Sequence, residues 1–317
     1  MSAVTCCVCS DAAPVRAFSA KGYEHLRCTR CGTLFVHPPP GAEELARFYN
    51  STYQVPAPPA DAPLQPKWTA RIAELAPHVP NGRVLEIGSS WGHFLAAARD
   101  AGWDAQGVEI SADAAAFSTG RRGLQVYSGA FGDFAAAPGS FGAVVLWHVI
   151  EHESDPRRLL ARIHELLAPG GLLALTTPNA ASLAARLAGP GWEWVSPPAH
   201  LRLFTPQAMQ RLLADAGFAA VQVGTRRGDA RPFLADLCIA AAKRLLRHGA
   251  REPIPGAARP AVMTRPSFGQ RLFIDGLDWL SWPFAPLGKL VNEVLGHGPE
   301  LHVLARKPGR DLLKTGC

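Results

Sequence analysis

Residues 84–95 read VLEIGSSWGHFL. An apolar run, Val84 to Ile87, breaks into the turn Gly88-Ser89-Ser90-Trp91-Gly92, and an amphipathic segment, His93 to Ala101, follows until Gly102 stops it. Four apolar residues bounded by glycine predict a buried strand, and the apolar spacing after Gly92 predicts a helix. Outward from this unit the same alternation continues. Ala105 to Val108 predicts a second strand ending at Glu109, and Val144 to Trp147 a later one. Asp155 and Pro156 supply an N-cap and a first helical residue; the helix they open is expected to reach Pro169-Gly170-Gly171, ahead of a strand Leu172 to Thr176. Thr205-Pro206 opens another helix closed by Gly217, and Val221 to Gly224 and Leu301 to Ala305 supply the last strands. Strands alternating with helices predict an α/β fold, a parallel sheet with helices on its faces.

The turn also carries chemistry. Glu86-x-Gly88-x-Ser90-x-Gly92 approximates the acidic, glycine-rich turn through which a first strand approaches a nucleoside ligand closely, with Ser90 in place of one glycine. Glu109, at the end of the next strand, is placed to accept both hydroxyls of a ribose. An acidic residue two positions before the first glycine suits an ammonium or sulfonium group and repels a pyrophosphate, and the Gly-x-Gly-x-x-Gly spacing of dinucleotide sites is absent.

Upstream, Cys6, Cys9, Cys28 and Cys31 form two C-x2-C pairs. Each pair brings two thiolates to one tetrahedral zinc, and the spacer returns as a hairpin to set the second turn opposite the first. Gly32 suits the tight knuckle after Cys31. Four thiolates leave no open coordination position, so the expected Zn2+ is structural. Cys7 is the spare thiol, and a swap between Cys6 and Cys7 stays open. Pro38, Pro39 and Pro40 end this unit, and a proline-rich connector follows with a short helix at Glu43 to Phe48.

VLEIGSSWGHFL, GVEIS at 107–111, LWHVIEHESDPRRLLARIHELLAPGGLLALTTPN at 146–179 and HLRLFTPQAMQRLLADAGF at 200–218 together resemble the class I S-adenosylmethionine-dependent methyltransferases. The similarity is closest to the group that includes the ubiquinone-pathway O-methyltransferases, in particular its bacterial members with an N-terminal zinc ribbon. It covers residue 6 to about 225 plus the last strand. The resemblance implies a seven-stranded sheet of order 3-2-1-4-5-7-6 with strand 7 antiparallel. It implies that Gly88, Ser90 and Gly92 approach the cofactor's amino-acid end, that Glu86 meets the methionyl ammonium, that Glu109 binds the ribose, and that Trp147 and His148 border the sulfonium. The expected division is a zinc ribbon at 1–40, a connector with short helices at 41–80, a methyltransferase domain at 81–225 plus 299–307, and a basic helical insertion or lid at 226–298.

His148-Val-Ile-Glu151-His152 spells H-x-x-E-H, the motif of inverted zinc proteases. Those enzymes carry it on a helix; here it follows a strand and precedes the cap Asp155, which makes it a loop. Glu151 and His152 either shape that loop or join His148 in an acceptor site. An alcohol or phenol acceptor profits from a base near neutral pKa, and His148 and His200 are the candidates, as base or substrate orienter. His200 has a second reading as a lid residue against Trp192 or Trp194. In the ubiquinone group a divalent ion is bound by acidic residues and the Glu-His of this loop; His148 stands where a carboxylate is expected.

The chain has 317 residues with 32 Lys and Arg against 26 Asp and Glu. The net charge of +6 is unevenly spread: residues 1–66 are neutral, 67–225 carry −1 and 226–317 carry +7. The excess therefore lies outside the ribbon and the core, in a stretch with an amphipathic helix at Phe233 to Arg247 and an aromatic-rich run at Leu272 to Leu295. A helical cap over its own aromatics is one reading; a lid for a lipid-linked acceptor, or a surface facing anionic lipid, is the other. No export signal and no transmembrane helix are read, so the expected location is cytoplasmic or peripheral to the membrane. The expected function is methyl transfer, at oxygen, to a small-molecule or glycan- or lipid-linked acceptor. RNA methylation and a non-catalytic scaffold that binds a partner through the ribbon are the alternatives. Nucleic acid is disfavoured by the neutral ribbon and by His-Val-Ile-Glu in place of an Asn/Asp-Pro-Pro loop.

Overall fold

In the computed structural model, residues 4–10, 14–51, 57–59, 65–79, 82–227, 238–239, 241 and 282–309 are described. The unit read first forms as expected: β4 (Arg83–Ile87) runs through the Gly88–Gly92 turn into α3 (His93–Asp100). Before it come β1 (Pro14–Ala20), β2 (Tyr23–Cys28), β3 (Leu34–Val36), α1 (Ala42–Ser51) and α2 (Pro66–Leu75). After it come β5 (Asp104–Glu109), α4 (Ala112–Arg122), β6 (Gln125–Ser128), β7 (Phe141–Trp147), α5 (Pro156–Leu166) and β8 (Leu167–Pro178). α6 (Leu183–Ala188), β9 (Arg202–Leu203), α7 (Pro206–Asp215), β10 (Ala219–Arg226), α8 (Ala285–Lys289) and β11 (Glu300–Arg306) follow.

Seven strands form one sheet in the order β10-β11-β8-β7-β4-β5-β6. From β6 inward this is the 3-2-1-4-5-7-6 order, and β11 pairs antiparallel with both β8 and β10. β7 and β8 lie at the centre, covered on both faces, which is why their sequences are apolar runs without alternation. On one face Ile72, Leu75 and Phe94 pack against Val145; on the other Leu160, Ile163, Met209 and Leu212 pack against Leu146 and Leu173. The caps read from sequence hold these helices: Asp155 accepts from the Arg158 amide at 3.0 Å and Thr205 from the Ala208 amide at 3.1 Å.

One boundary differs from expectation. The helix opened by Asp155 ends at Leu166, and β8 begins at Leu167 rather than Leu172. Leu167 pairs with Phe141 and Leu172 with Ala143, so Ala168–Gly171 bulge out of the ladder, Gly170 at φ +77°. A proline-glycine-glycine run is read as a terminator, yet it is also what a wide bulge needs.

The cysteine-bearing strands make a second sheet, β1-β2-β3-β9, whose fourth strand comes from the segment beyond β8. Cys6, Cys9, Cys28 and Cys31 lie in the same apolar cluster as Leu160, Phe204 and Ala208. The ribbon is thereby continuous with the core. The insertion read at 226–298 is described only at residues 226–227, 238–239, 241 and 282–298; most of the Phe233 to Arg247 helix and residues 272–281 of the Leu272 to Leu295 run lie outside the described residues. Phe284, Leu287, Leu290, Val294 and Leu295 are exposed, and among the described residues no helix is long and apolar enough to cross a membrane.

Candidate active site

The turn after β4 is shaped for close approach. Gly88 and Gly92 both sit at φ +72°, and Ser90 holds the left-handed region at φ +47° without being glycine. A Cβ on Gly88 would lie 2.6 Å from Val149 Cγ2, and one on Gly92 would lie 2.5 Å from Leu124 Cδ1. The first contact sets the turn directly against the loop that follows β7. Glu86 is buried on β4; its Oε2 is buried with no partner, and burial together with the neighbouring Glu109 carboxylate holds its pKa well above the usual carboxylate range. A buried carboxyl with an unused oxygen fits a cationic group such as a methionyl ammonium. Glu109 accepts from the Ser90 amide at 2.7 Å and the Ser111 amide at 2.8 Å. It ties the two turns together, and its remaining lone pairs are those a ribose would use. Trp147 turns from the strand end into a cage of Trp68 and Phe94, with the Arg71 guanidinium 4.8 Å above its ring.

Opposite this turn the four polar residues singled out between 148 and 200 come together. His148 sits at φ +57° directly after β7, and Ile150–His152 is a single 3-10 turn rather than a helix. The His148 ring places Nδ1 3.3 Å from Glu151 Oε1 and Nε2 2.8 Å from Glu300 Oε2. Burial opposes its charge, but the two carboxylates outweigh burial and raise its pKa to about 10. Glu151 is wholly buried and accepts from Thr177 Oγ1 at 2.9 Å; despite that burial the imidazolium beside it holds its pKa down at about 2. Glu300 is paired in turn with Arg71 Nη2 at 3.2 Å.

His200 lies on the other side. Its Nδ1 donates to the Trp194 carbonyl at 2.7 Å, and burial, with His152 nearby, lowers its pKa to about 4. The Trp194 ring stacks on His148 at 4.9 Å and on His200 at 5.6 Å, so of the two tryptophans named for His200 it is Trp194 that the ring packs on. His152 meets His200 edge to face at 4.8 Å and the Ala199 carbonyl through Nδ1. Near neutral pH His148 is thus an imidazolium with both N–H groups engaged, whereas His200 is neutral. Ligand atoms of Glu151, His152 and His200 lie within 4.8 Å of one another, a set able to hold a metal ion.

The sequence reading missed Glu300, Arg71 and Thr177. The antiparallel sense of β11 is the available signal for Glu300: an antiparallel last strand begins at the edge where the parallel strands end, the ligand edge of such sheets.

The four cysteines are buried and mutually close, with Sγ atoms 3.6 Å apart for Cys6 and Cys31 and 3.4 Å for Cys9 and Cys28. Zinc–sulfur bonds of about 2.3 Å in a tetrahedron set sulfurs about 3.8 Å apart, so the cluster fits the ion. Two backbone amides, Val8 and Cys31, point at Cys6 and Cys28 sulfurs at 3.4 Å. Each knuckle closes on a left-handed residue: Gly32 at φ +74°, as read, and Ser10 at φ +63°, where no glycine marked it. The knuckles hold segments next to the loop that follows β7: Arg157 Nε donates to the Cys7 carbonyl at 3.1 Å and Thr205 Oγ1 to the Cys31 carbonyl at 2.7 Å, while the Leu201 amide donates to the Glu151 carbonyl within that loop at 2.9 Å.

Comparison with known proteins agrees with this fold. The family model described as "Methyltransferase domain" matches residues 61–223, just over half of the chain. The ubiquinone biosynthesis O-methyltransferase of Caulobacter sp. (strain K31) is 31% identical over 144 residues, 42% of this chain and 57% of that protein. The enzyme of the same name from Cereibacter sphaeroides is 35% identical over 95 residues, 28% of this chain and 38% of that one. The match therefore spans about half the length of these relatives or less. Among solved structures, the [4+2]-cyclase SpnF superposes with a TM-score of 0.50 at 18% identity, covering 86% of this chain and 98% of that chain. That likeness shows the fold alone.

Proposed function

Because the chain belongs to the methyltransferase-domain family and has the class I S-adenosylmethionine-dependent fold, we propose that it transfers the sulfonium methyl of S-adenosylmethionine to an oxygen of a small-molecule, glycan- or lipid-linked acceptor. The observation that carries this reading is the buried, unpartnered Oε2 of Glu86 beside a left-handed glycine turn, a donor site built for a cation and a close backbone approach. S-adenosylmethionine supplies the electrophilic methyl; Gly88, Ser90 and Gly92 would hold its amino-acid end, Glu86 its ammonium and Glu109 its ribose.

On the acceptor side, charge divides the roles. The leaving thioether is neutral, so the reaction needs an aligned nucleophile more than an acid. His148, charged and fixed by Glu151 and Glu300, positions and shapes the pocket. His200, neutral, is the group able to take a hydroxyl proton as the oxygen attacks. Glu151 and His152 hold the loop that carries them. One Zn2+ on Cys6, Cys9, Cys28 and Cys31 fixes the ribbon against this half.

Calorimetric titration with S-adenosylhomocysteine should give saturable binding, and labelled cofactor should mark the small-molecule or lipid fraction of a bacterial extract. No heat at millimolar ligand would overturn the donor assignment; label in RNA would favour the nucleic-acid alternative, and binding without transfer the scaffold.

A further inference from the structure

A cleft of about 290 Å³ lies between the ribbon and α6, away from the Glu86 turn. Its walls come from three places: Phe18 and Arg27 on β1 and β2, Arg186 on α6, and Trp192 and Val195 on the segment that follows. Among the described residues no Asp or Glu lines it. Arg16 at its rim is neutralised by Glu24, with Nε 2.6 Å from Oε2. Arg27 and Arg186 are different. Arg27 gives Nη1 to the Gly32 carbonyl at 3.2 Å, and among the described residues neither guanidinium pairs with a carboxylate. Arg27 is half-buried and Arg186 exposed; two guanidinium groups that face one cleft beside an indole repel each other until an anion joins them, and paired arginines match phosphate oxygens in geometry.

The position matters as much as the charge. Ala180, just past the end of β8, lines the cleft, so it opens at the ligand edge of the main sheet. Trp192 and Val195 flank Trp194, the residue stacked on His148 and His200. An anion in the cleft is therefore held by the segment that also frames the acceptor side.

We propose that Arg27 and Arg186 bind the phosphate or diphosphate of the ligand whose other end is methylated. That the anion belongs to the methyl acceptor rests on the function proposed above; anion binding in the cleft does not.

The test is calorimetric titration of the zinc-loaded full chain with inorganic pyrophosphate, for the wild type, Arg186→Gln and Arg27→Lys. Saturable binding should appear, weaken tenfold or more in Arg186→Gln and fall steeply with added salt. Arg27→Lys keeps the charge but loses the fork, and should weaken binding less. Zinc content and S-adenosylhomocysteine affinity, measured on each preparation, show that a variant has folded. Absence of saturable pyrophosphate binding, or equal binding by a folded Arg186→Gln chain, overturns the proposal. Two further arms identify the source: competition by UDP points to a soluble nucleotide-linked ligand, and competition by vesicles containing polyprenyl diphosphate to a lipid-linked one. An RNA oligomer that binds more tightly than pyrophosphate with the same Arg186 dependence would overturn the small-ligand assignment. S-adenosylhomocysteine binding without pyrophosphate binding refutes the cleft alone; the reverse refutes the methyl-transfer reading and leaves the anion site standing.

Discussion

The two halves of the site are built in opposite ways. The half proposed to bind the methyl donor, around Glu86 and Glu109, comes from one contiguous stretch: a strand, a turn and the end of the next strand. Its precision is steric and backbone-borne, with Gly88 and Gly92 placed where a side chain would collide. The half proposed to face the acceptor is assembled from distant segments, α2, the loop after β7, the run before β9 and the start of β11. Its precision is electrostatic: Arg71, Glu300, His148 and Glu151 alternate in charge across a buried chain of contacts. A contiguous steric site tolerates no substitution at its turn. A dispersed charged one fails when any single partner is lost, because the remaining charge stays buried.

The largest effect should come from filling the donor turn. Gly92→Leu places a side chain where Leu124 Cδ1 is 2.5 Å and Ser118 Oγ 2.9 Å from the Cβ alone, at a backbone angle that L residues rarely hold. S-adenosylhomocysteine binding should be lost in calorimetry, while circular dichroism and zinc content report a folded chain. Retained binding would mean that the turn is not the donor site.

Next is the acceptor network. Glu151→Ala removes the wholly buried partner of the His148–Glu151 pair, leaves His148 with Glu300 alone and strands the Thr177 hydroxyl. Breaking such a pair costs on the order of 3–5 kcal/mol, to be read from denaturant unfolding. Glu151→Gln, which keeps the shape and a hydrogen bond, should lose less. Equal stability of wild type and Glu151→Ala would show the network to be ornamental.

The same charges set the pH profile. His148 is raised from 6.5 to about 10, so its stabilisation is complete below pH 6.5 and is lost as pH rises toward 10. His200 is lowered from 6.5 to about 4, so its contribution is present above pH 6.5 and is lost as pH falls through 4; Glu151, held at about 2, adds a loss below pH 4.5. Thermal unfolding across pH 4–10 should show maximum stability near pH 6.5, and His148→Gln should flatten the alkaline limb only. An alkaline limb that persists in His148→Gln would assign the shift to other groups.

The unequal legibility of the two halves in sequence has the same origin as their construction. Val84 to Leu95 states its strand, turn and helix within twelve residues because each requirement is local, and Glu109 follows at the next strand end. The two C-x2-C pairs are legible for the same reason. Glu300 is 152 residues from His148, and its approach depends on β11 running antiparallel to its neighbours. No local spacing encodes that contact. The docking of β9 onto β3 is likewise invisible, since a two-residue strand has no periodicity to read. His148 and His200 were legible as candidates but not as a charged and a neutral member, because the carboxylates that separate them arrive through the fold.

A smaller loss is expected from His200→Ala: about 10²-fold in kcat, the lower range for removing a positioned base, with S-adenosylhomocysteine affinity unchanged. A parallel loss in His148→Gln is expected to fall on the acceptor's KM, since a group with both N–H donors engaged orients rather than accepts a proton. If His200→Ala kept wild-type kcat, the base assignment would be withdrawn.

The smallest effect, and the sharpest on the separation of the halves, is Trp194→Phe. Trp194 holds His200 through its backbone carbonyl, which any substitution leaves in place, and touches both imidazoles only through its ring face. A phenyl keeps that face with less area, over a cationic ring on one side and a neutral one on the other. Stacking and cation–π contacts of this kind are worth about 0.5–1.5 kcal/mol, so a threefold to tenfold fall in kcat/KM for the acceptor is expected (roughly, by the usual 1.4 kcal/mol per decade). The donor site should not register the change, since the ring partners of Trp194 are His148 and His200. A matched fall in S-adenosylhomocysteine affinity would break the comparison, because it would mean that the charged network transmits strain to the Gly88 turn, against which Val149 lies.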